Sequence, residues 1–264
     1  MMRPYIAVIN ARLRALLQYR AAAAAGIVTQ VFWGLIRSAI FAAFYHSTKG
    51  SQPMTLPEVI TYVWLGQATL VLQPWNIDMD ISQMIRSGNV AYELLRPVDL
   101  YSLWFVRSMA MRTAPTLVRA IPIFIISGLF FGLTAPASIL SFAAWILSIV
   151  GAILLSTALT TLFTVIQLWT ISGDGIFRLS SMMIYVLSGL VIPLPLFPDW
   201  MQGFINFLPF RGIVDTPSRL YMGHIPPAGV CGVFLQQIVW TAFFVIIGRL
   251  LLARGMRRVV VQGG

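Results

Sequence analysis

The chain has 264 residues, 58% of them apolar and only 10% charged, with a mean hydropathy of +0.84. A soluble domain draws on roughly 25% charged residues to wet its surface, so this composition excludes a water-soluble globule and leaves lipid to cover most of the surface. The balance is basic, 18 Lys+Arg against 8 Asp+Glu with Lys49 the single lysine; one cysteine, Cys231, excludes an internal disulfide, and the distant His46 and His224 argue against zinc.

Met1 to Arg20 carries Ile6, Ile9, Leu13, Leu16 and Leu17 at helical spacing, with Asn10, Arg14 and Gln18 to another side. Two readings fit: an interfacial helix lying on the membrane, or a polar leader with accidental periodicity. The apolar run that follows is too long for the core of a cleavable signal, so the expectation is insertion by the first helix itself. That first span, residues 21–45, is long enough to cross a hydrocarbon core of about 30 Å. Arg37 interrupts it, either facing other helices or snorkelling.

After a polar loop at 46–57, a second span is predicted at 58–75. Asn76 to Arg112 holds Asp78, Asp80, Arg86, Glu93, Arg96, Asp99, Arg107 and Arg112 and reads as a water-exposed loop. Within it, Asp80 to Ser87 can form two helical turns with Ile81, Met84 and Ile85 on one face and Gly88 or Asn89 as a left-handed cap. Such a helix either offers apolar knobs to a docking partner or rests on lipid headgroups. A third span is predicted at 113–133, where Gly128-x-x-x-Gly132 is a weak packing signal. A fourth follows at 138–168, then a polar turn at 169–178 and a fifth span at 179–196 ending in Pro193, Pro195 and Pro198. Asp199 to Pro227 is polar but contains a short amphipathic helix around Trp200, Phe204 and Leu208, and a sixth span is predicted at 228–252.

With the amino terminus inside, the cytoplasmic segments hold thirteen arginines, among them Arg3, Arg86, Arg178, Arg249, Arg254, Arg257 and Arg258, against Lys49, Arg211 and Arg219 outside. The asymmetry places both termini in the cytoplasm. It also removes a nucleic-acid reading, because the basic residues are scattered among membrane-flanking loops. Trp75, Trp104, Trp169 and Trp200 fall at predicted span ends, where amphipathic rings prefer to sit.

No paired carboxylates, histidine cluster or phosphate-binding Gly-x-x-x-x-Gly-Lys-Ser/Thr loop is present, so no catalytic residue is assigned and the chain is not expected to be an enzyme. Gly173-Asp174-Gly175 lacks the second intramembrane aspartate that a protease would need. All eight acidic residues fall in loops or at span ends, which speaks against proton-coupled transport. Candidate cavity residues are Arg37, Arg119 and Gln167, which could equally hydrogen-bond between helices. No metal-binding residue is assigned.

Two stretches carry a resemblance. Ile85-Arg86-Ser87-Gly88-Asn89, followed by Glu93-Leu94-Leu95-Arg96-Pro97, is similar to the cytoplasmic segment of ABC-2 type ABC transporter permeases. Ser188 to Leu194, then Phe197-Pro198-Asp199-Trp200 and Leu208-Pro209-Phe210, with Pro217 and Tyr221-Met222-Gly223, resembles their outer block. The resemblance implies a single all-α transmembrane domain of six helices with an amino-terminal interfacial helix, like that of type V exporters, in a bacterial plasma (inner) membrane. It implies ATPase coupling through Ile81, Met84, Ile85, Arg86, Gly88 and Asn89, and a re-entrant gate formed by Gly189, Pro193, Pro195, Pro198, Trp200, Pro209 and Phe210. It further implies partner ABC ATPase subunits carrying ATP and Mg, a second permease subunit, identical or different, a lipid environment, and a lipid, glycan, drug-like or peptide cargo. A channel, a secondary transporter or a membrane-embedded lipid-enzyme subunit is the alternative.

Overall fold

The computed structural model describes residues 3–18, 20–48, 50–93, 97–170 and 174–256. Lys49, Leu94, Leu95, Arg96, Gly173, Arg257 and Arg258, and the side chains of Leu13, Leu16 and Leu17, lie outside the described residues.

The described helices are α1 (Arg3–Gln18), α2 (Arg20–Ser47), α3 (Leu56–Ala68), α4 (Met79–Arg86), α5 (Val90–Glu93), α6 (Leu100–Phe130), α7 (Ile139–Ile166), α8 (Asp174–Leu187), α9 (Asp199–Phe207), α10 (Asp215–Met222) and α11 (Val230–Gly255), with no strand among the described residues. Among the described residues four stretches are long and apolar enough to cross a membrane: Ala23–Ser47, Leu100–Phe130, Ile139–Ile166 and Pro227–Gly255. At about 1.5 Å per residue each exceeds the roughly 30 Å of a hydrocarbon core.

These helices wear their apolar side chains outward. Leu117, Ile121, Ile125 and Leu129 form an exposed stripe at four-residue spacing on α6, and Leu235, Val239, Phe243, Ile246 and Leu250 form another on α11. Such patches are unsustainable in water and need a lipid or protein cover. The interior, by contrast, holds polar groups, many of them along α7 satisfied by local bonds. Ser156, Thr157, Thr160, Thr161 and Thr164 are buried along α7, where Thr160, Thr161 and Thr164 return their hydroxyls to the carbonyls one turn back. Gln237 of α11 donates to Ser148 O at 2.9 Å and to Gly212 O at 2.8 Å, binding α7, α11 and the loop beyond them into one core.

The chain ends of the long helices sort into two groups. A proximal end gathers α1, α4 and α5 with the start of α6 and the end of α11; Arg249 reaches Asp99 there at 3.2 Å. A distal end gathers α9, α10 and the loops before α3 and α7, joined by Tyr221 Oη donating to Thr134 O at 2.9 Å and by His224 Nε2 to Glu58 Oε1 at 2.8 Å.

Several sequence expectations need correction. The predicted loop 76–112 ends at Asp99, whose carboxylate caps α6 by accepting from Ser102 N at 2.8 Å. Helix α6 then runs unbroken through Arg107, Arg112, Pro115 and Pro122, and Arg112 is buried, so that stretch is not water-exposed. The predicted second span is only the 13-residue α3, followed by a 3-10 turn at Leu70–Leu72. The fifth begins early, since Asp174–Arg178 is the first turn of the 14-residue α8. Gly128 meets no neighbour among the described residues and Gly132 lies past the end of α6 with φ +76°, so the pair forms no packing seam between the described helices of this chain. Trp104 is fully buried rather than interfacial. Helix α1 forms as predicted and packs on α6, which turns Tyr5, Val8 and Ile9 partly inward while Ile6 stays exposed.

Candidate functional site

Three features stand out: a short helix at the proximal end, an arginine-lined groove beside it, and the distal block.

Helix α4 begins at Asp78, whose carboxylate accepts from Asp80 N at 3.1 Å and Ile81 N at 3.4 Å, satisfying donors that a helix start leaves open. The same carboxylate is gripped by Arg107 of α6, from Nε at 2.8 Å and Nη2 at 3.0 Å, and Arg107 Nη2 also reaches Asp80 at 3.2 Å. A bidentate Arg–carboxylate pair is geometrically specific as well as strong. Below it, Ile81 is fully buried and Met84 and Ile85 half-buried against Leu100, Tyr101, Trp104, Val165 and Leu252. Gly88 ends the helix with φ +73°, a conformation that costs a side-chain-bearing residue dearly. Helix α4 is therefore fixed to α6 by charge and packing together, and its outward face consists of Met79, Asp80, Gln83 and Arg86.

The groove consists of three adjoining cavities between α2, α6, α8 and the 70–77 segment. The first, about 300 Å³, is lined by Gln30, Gln73, Arg112 and Arg119 among others; the second, about 560 Å³, by Trp33, Arg37, Gln67, Met182 and Tyr185; the third, about 510 Å³, by Met79, Arg86 and Arg178. Trp75 borders all three. Its ring lies 5.0 Å from that of Tyr185.

Arg112 is held entirely by uncharged acceptors: Ser156 Oγ at 2.8 Å, Ser108 O at 3.0 Å, Asn76 O at 3.4 Å, and the Thr160 hydroxyl. Arg37 likewise donates to Leu190 O at 2.6 Å and to the Tyr185 hydroxyl, so it turns toward α8 rather than toward lipid. Arg119 lies flat on α2 at Gly26, where a Cβ would stand 2.6 Å from its Cζ. Seven residues apart on α6, Arg112 and Arg119 share a face two turns apart.

At the distal end, Gly189 takes φ +89°, and a side chain there would strike the Tyr62 hydroxyl. Pro193 and Pro198 stand immediately before the 3-10 turn Leu194–Leu196 and α9, and Pro195 lies within that turn. Pro209 opens the 3-10 turn Pro209–Gly212 and is buried; Phe210 packs against the main apolar core. Trp200 is 81% exposed and, with Phe204 and Phe207, forms an outward aromatic face on α9, while Ile205 is buried. Asp215 is buried, accepts from Tyr62 Oη at 3.3 Å, and lies 3.8 Å from Arg211 and 3.9 Å from Arg219. Among the described residues no three His, Cys, Asp or Glu side chains gather as a metal site would require.

A family model described as ABC-2 family transporter protein matches residues 31–263. The chain belongs to the ABC-2 transporter family. No curated protein matches it.

As an ABC-2 membrane component it distributes the sequence candidates unevenly. Arg37 and Arg119 do line the groove, but Gln167 is buried at the C-terminal cap of α7 and lines none of these cavities. Ile81, Met84 and Ile85 share a face as expected, yet that face is turned into the chain's own core rather than out as apolar knobs, because Leu100 and Trp104 of α6 complete a cluster that periodicity alone does not reveal. The acidic residues are not all solvated: Asp78, Glu93 and Asp215 are buried. Sequence reasoning missed Gln30, Gln67, Arg112, Tyr62 and Asp215. An arginine or glutamine flanked by apolar residues at helical spacing was the available signal for the first three; the pairing of Tyr62 with Asp215, 153 residues later, left none.

Proposed function

We propose that this chain is the transmembrane permease subunit of an ATP-driven exporter, working with a separate ATPase subunit that holds ATP and Mg2+ and with a second permease subunit, identical or different. The observation that carries this reading is family membership joined to the build of α4, a capped helix riveted to α6 by Asp78 and Arg107 with a solvent-facing Met79, Gln83 and Arg86 surface. Closure of the ATPases would push on that surface, and a stiff linkage would pass the motion to α6 as a rigid body. Arg112 lies five residues beyond Arg107, about 7.5 Å along the helix, so the same element carries the push into the groove. Gly88 and Asn89 set where the lever ends; Ile81, Met84 and Ile85 seat it.

The chain is read as crossing six times, α3 and α8 with their following turns completing the two shorter passages. The proximal end, with Arg86, Arg107, Arg178, Arg249 and Arg254, faces the cytoplasm of a bacterial inner membrane by the positive-inside rule. The distal block of Gly189, Pro193, Pro195, Pro198, Trp200, Pro209 and Phe210 then closes the outer side.

Mild-detergent purification of the tagged chain, with mass spectrometry and an ATPase assay, tests this. Recovery of a stoichiometric ATPase, and loss of its coupled hydrolysis in a Met79→Asp variant that still inserts, is the expected result. Recovery of the chain alone would instead favour a channel, a secondary transporter or a lipid-enzyme subunit.

A further inference from the structure

The groove has a charge character that membership of the family does not dictate. Arg37, Arg86, Arg112, Arg119 and Arg178 line it, and among the described residues no carboxylate lines any of its three cavities. Among the described residues Arg37, Arg112 and Arg119 have no acidic partner. Guanidinium groups shielded from water without a counter-charge are costly and attract an anion strongly, since little solvent screens them. Beside them, Gln30 and Gln67 are 2% and 1% exposed, and neither atom of either amide finds a hydrogen-bond partner among the described residues. Buried amides in that state are suited to a polar ligand. The first two compartments differ in kind: the first brings Arg112, Arg119, Gln30 and Gln73 together, whereas the second is walled by Trp33, Leu70, Phe177, Met182 and Tyr185, with Trp75 at the join.

We infer that the groove binds an anionic amphiphile, with a phosphate-like head held between Arg112 and Arg119 and an apolar body along Trp33, Trp75 and Met182, and that this amphiphile is the cargo. Arg119, with no hydrogen-bond or acidic partner among the described residues, keeps its planar fork for phosphate oxygens in pairs, while Arg112, four of whose five N–H groups donate within the chain, adds its charge and the remaining N–H. Gly26 is part of the fit, because a side chain there would displace the Arg119 guanidinium. The assignment as cargo rests on the permease reading; the binding itself does not.

The test begins with the chain alone in phosphatidylcholine nanodiscs, titrated with labelled dodecyl phosphate and challenged with dodecyltrimethylammonium or inorganic phosphate. Dodecyl phosphate should bind and be displaced by neither competitor at equal concentration. Arg119→Gln should weaken binding about tenfold, equivalent to ~1.4 kcal/mol, and Arg119→Lys should restore part of it. Equal competition by the cation, equal competition by free phosphate, or unchanged binding in Arg119→Gln overturns the site. In the complex with its ATPase, dodecyl phosphate should raise ATP hydrolysis in the parent protein and not in Arg119→Gln; binding that leaves hydrolysis unchanged marks a resident lipid and overturns the cargo assignment. If the probe binds but no ATPase accompanies the chain, the anion site stands and the exporter reading falls. If the ATPase is present and the probe does not bind, the reverse holds.

Discussion

Two arginine-rich regions of this bundle solve the problem of buried charge in opposite ways. At the distal end Arg211 and Arg219 converge on Asp215, and Tyr62 donates to the same carboxylate; charge meets charge within the chain. In the groove Arg112 meets only hydroxyls and carbonyls, and Arg119 rests on the bare backbone of α2 at Gly26. A cluster that holds its own counter-charge serves to tie its elements together. A cluster left positive retains capacity for something negative from outside, so the second region is where an incoming molecule acts and the first is where the fold is tied.

The comparison is broken or sharpened by removing charges of each kind. The largest effect is expected at Asp78, which combines the cap of α4 with the bidentate partner of Arg107. Removing one member of a buried pair costs about 3–5 kcal/mol. Asp78→Ala should therefore lower the thermal midpoint of the purified protein steeply and expose the α4 segment to protease; a variant as stable and as resistant as the parent would show that α4 is not fixed by this pair. Asp215→Asn should cost less, about 2 kcal/mol, because Arg211 and Arg219 keep partial access to solvent. Midpoints measured at low and high salt distinguish the cause: added salt should recover part of the loss as it screens the two arginines now facing each other.

What the sequence made legible follows the reach of each interaction. The helices at 20–47, 139–166 and 230–255 were readable because a long apolar run crosses the lipid whatever its neighbours do. Helices α4 and α9 were readable from local capping and amphipathic spacing. The start of α6 was not, because Arg107, Arg112 and Pro115 look aqueous until Ser156 and Thr160, 44 and 48 residues further on, supply acceptors for Arg112. The outward or inward sense of the Ile81 face was equally out of reach, since spacing defines a face but not what covers it. The groove is assembled from α2, α6 and α8, so its positive character emerges only when Gln30, Arg37 and Arg119 are brought together in space.

A third kind of pairing lies between the two extremes. Asp99 and Arg249 are ion-paired at 3.2 Å with both side chains half open to solvent. Partial burial pushes the Asp99 carboxyl up, but hydrogen bonds from Ser102 and the charge of Arg249 outweigh it and hold the group below its ordinary value. A carboxyl depressed in the folded state stabilises above the ordinary carboxylate range near ~3.9 and loses that contribution as pH falls through the folded value. Exposed pairs are worth roughly 0.2–1 kcal/mol. The difference in thermal midpoint between the parent and Asp99→Asn should thus be small at pH 6 and shrink as pH falls below the ordinary carboxylate range; a difference that grows on acidification would contradict the depressed carboxyl.

The smallest expected effect is the most discriminating. Arg119 has no carboxylate partner among the described residues, so Arg119→Gln removes no pair and should change stability by no more than about 0.5 kcal/mol. Replacing it even relieves some of the cost of holding a cation in the bundle, so a slight rise in the midpoint is within the expected range. A fall as large as that of Asp215→Asn would mean that Arg119 is satisfied within the chain after all, and the distinction between the two regions would fail. A stable Arg119→Gln protein makes any loss of anion binding attributable to the missing guanidinium, because the fold that presents the groove is unchanged.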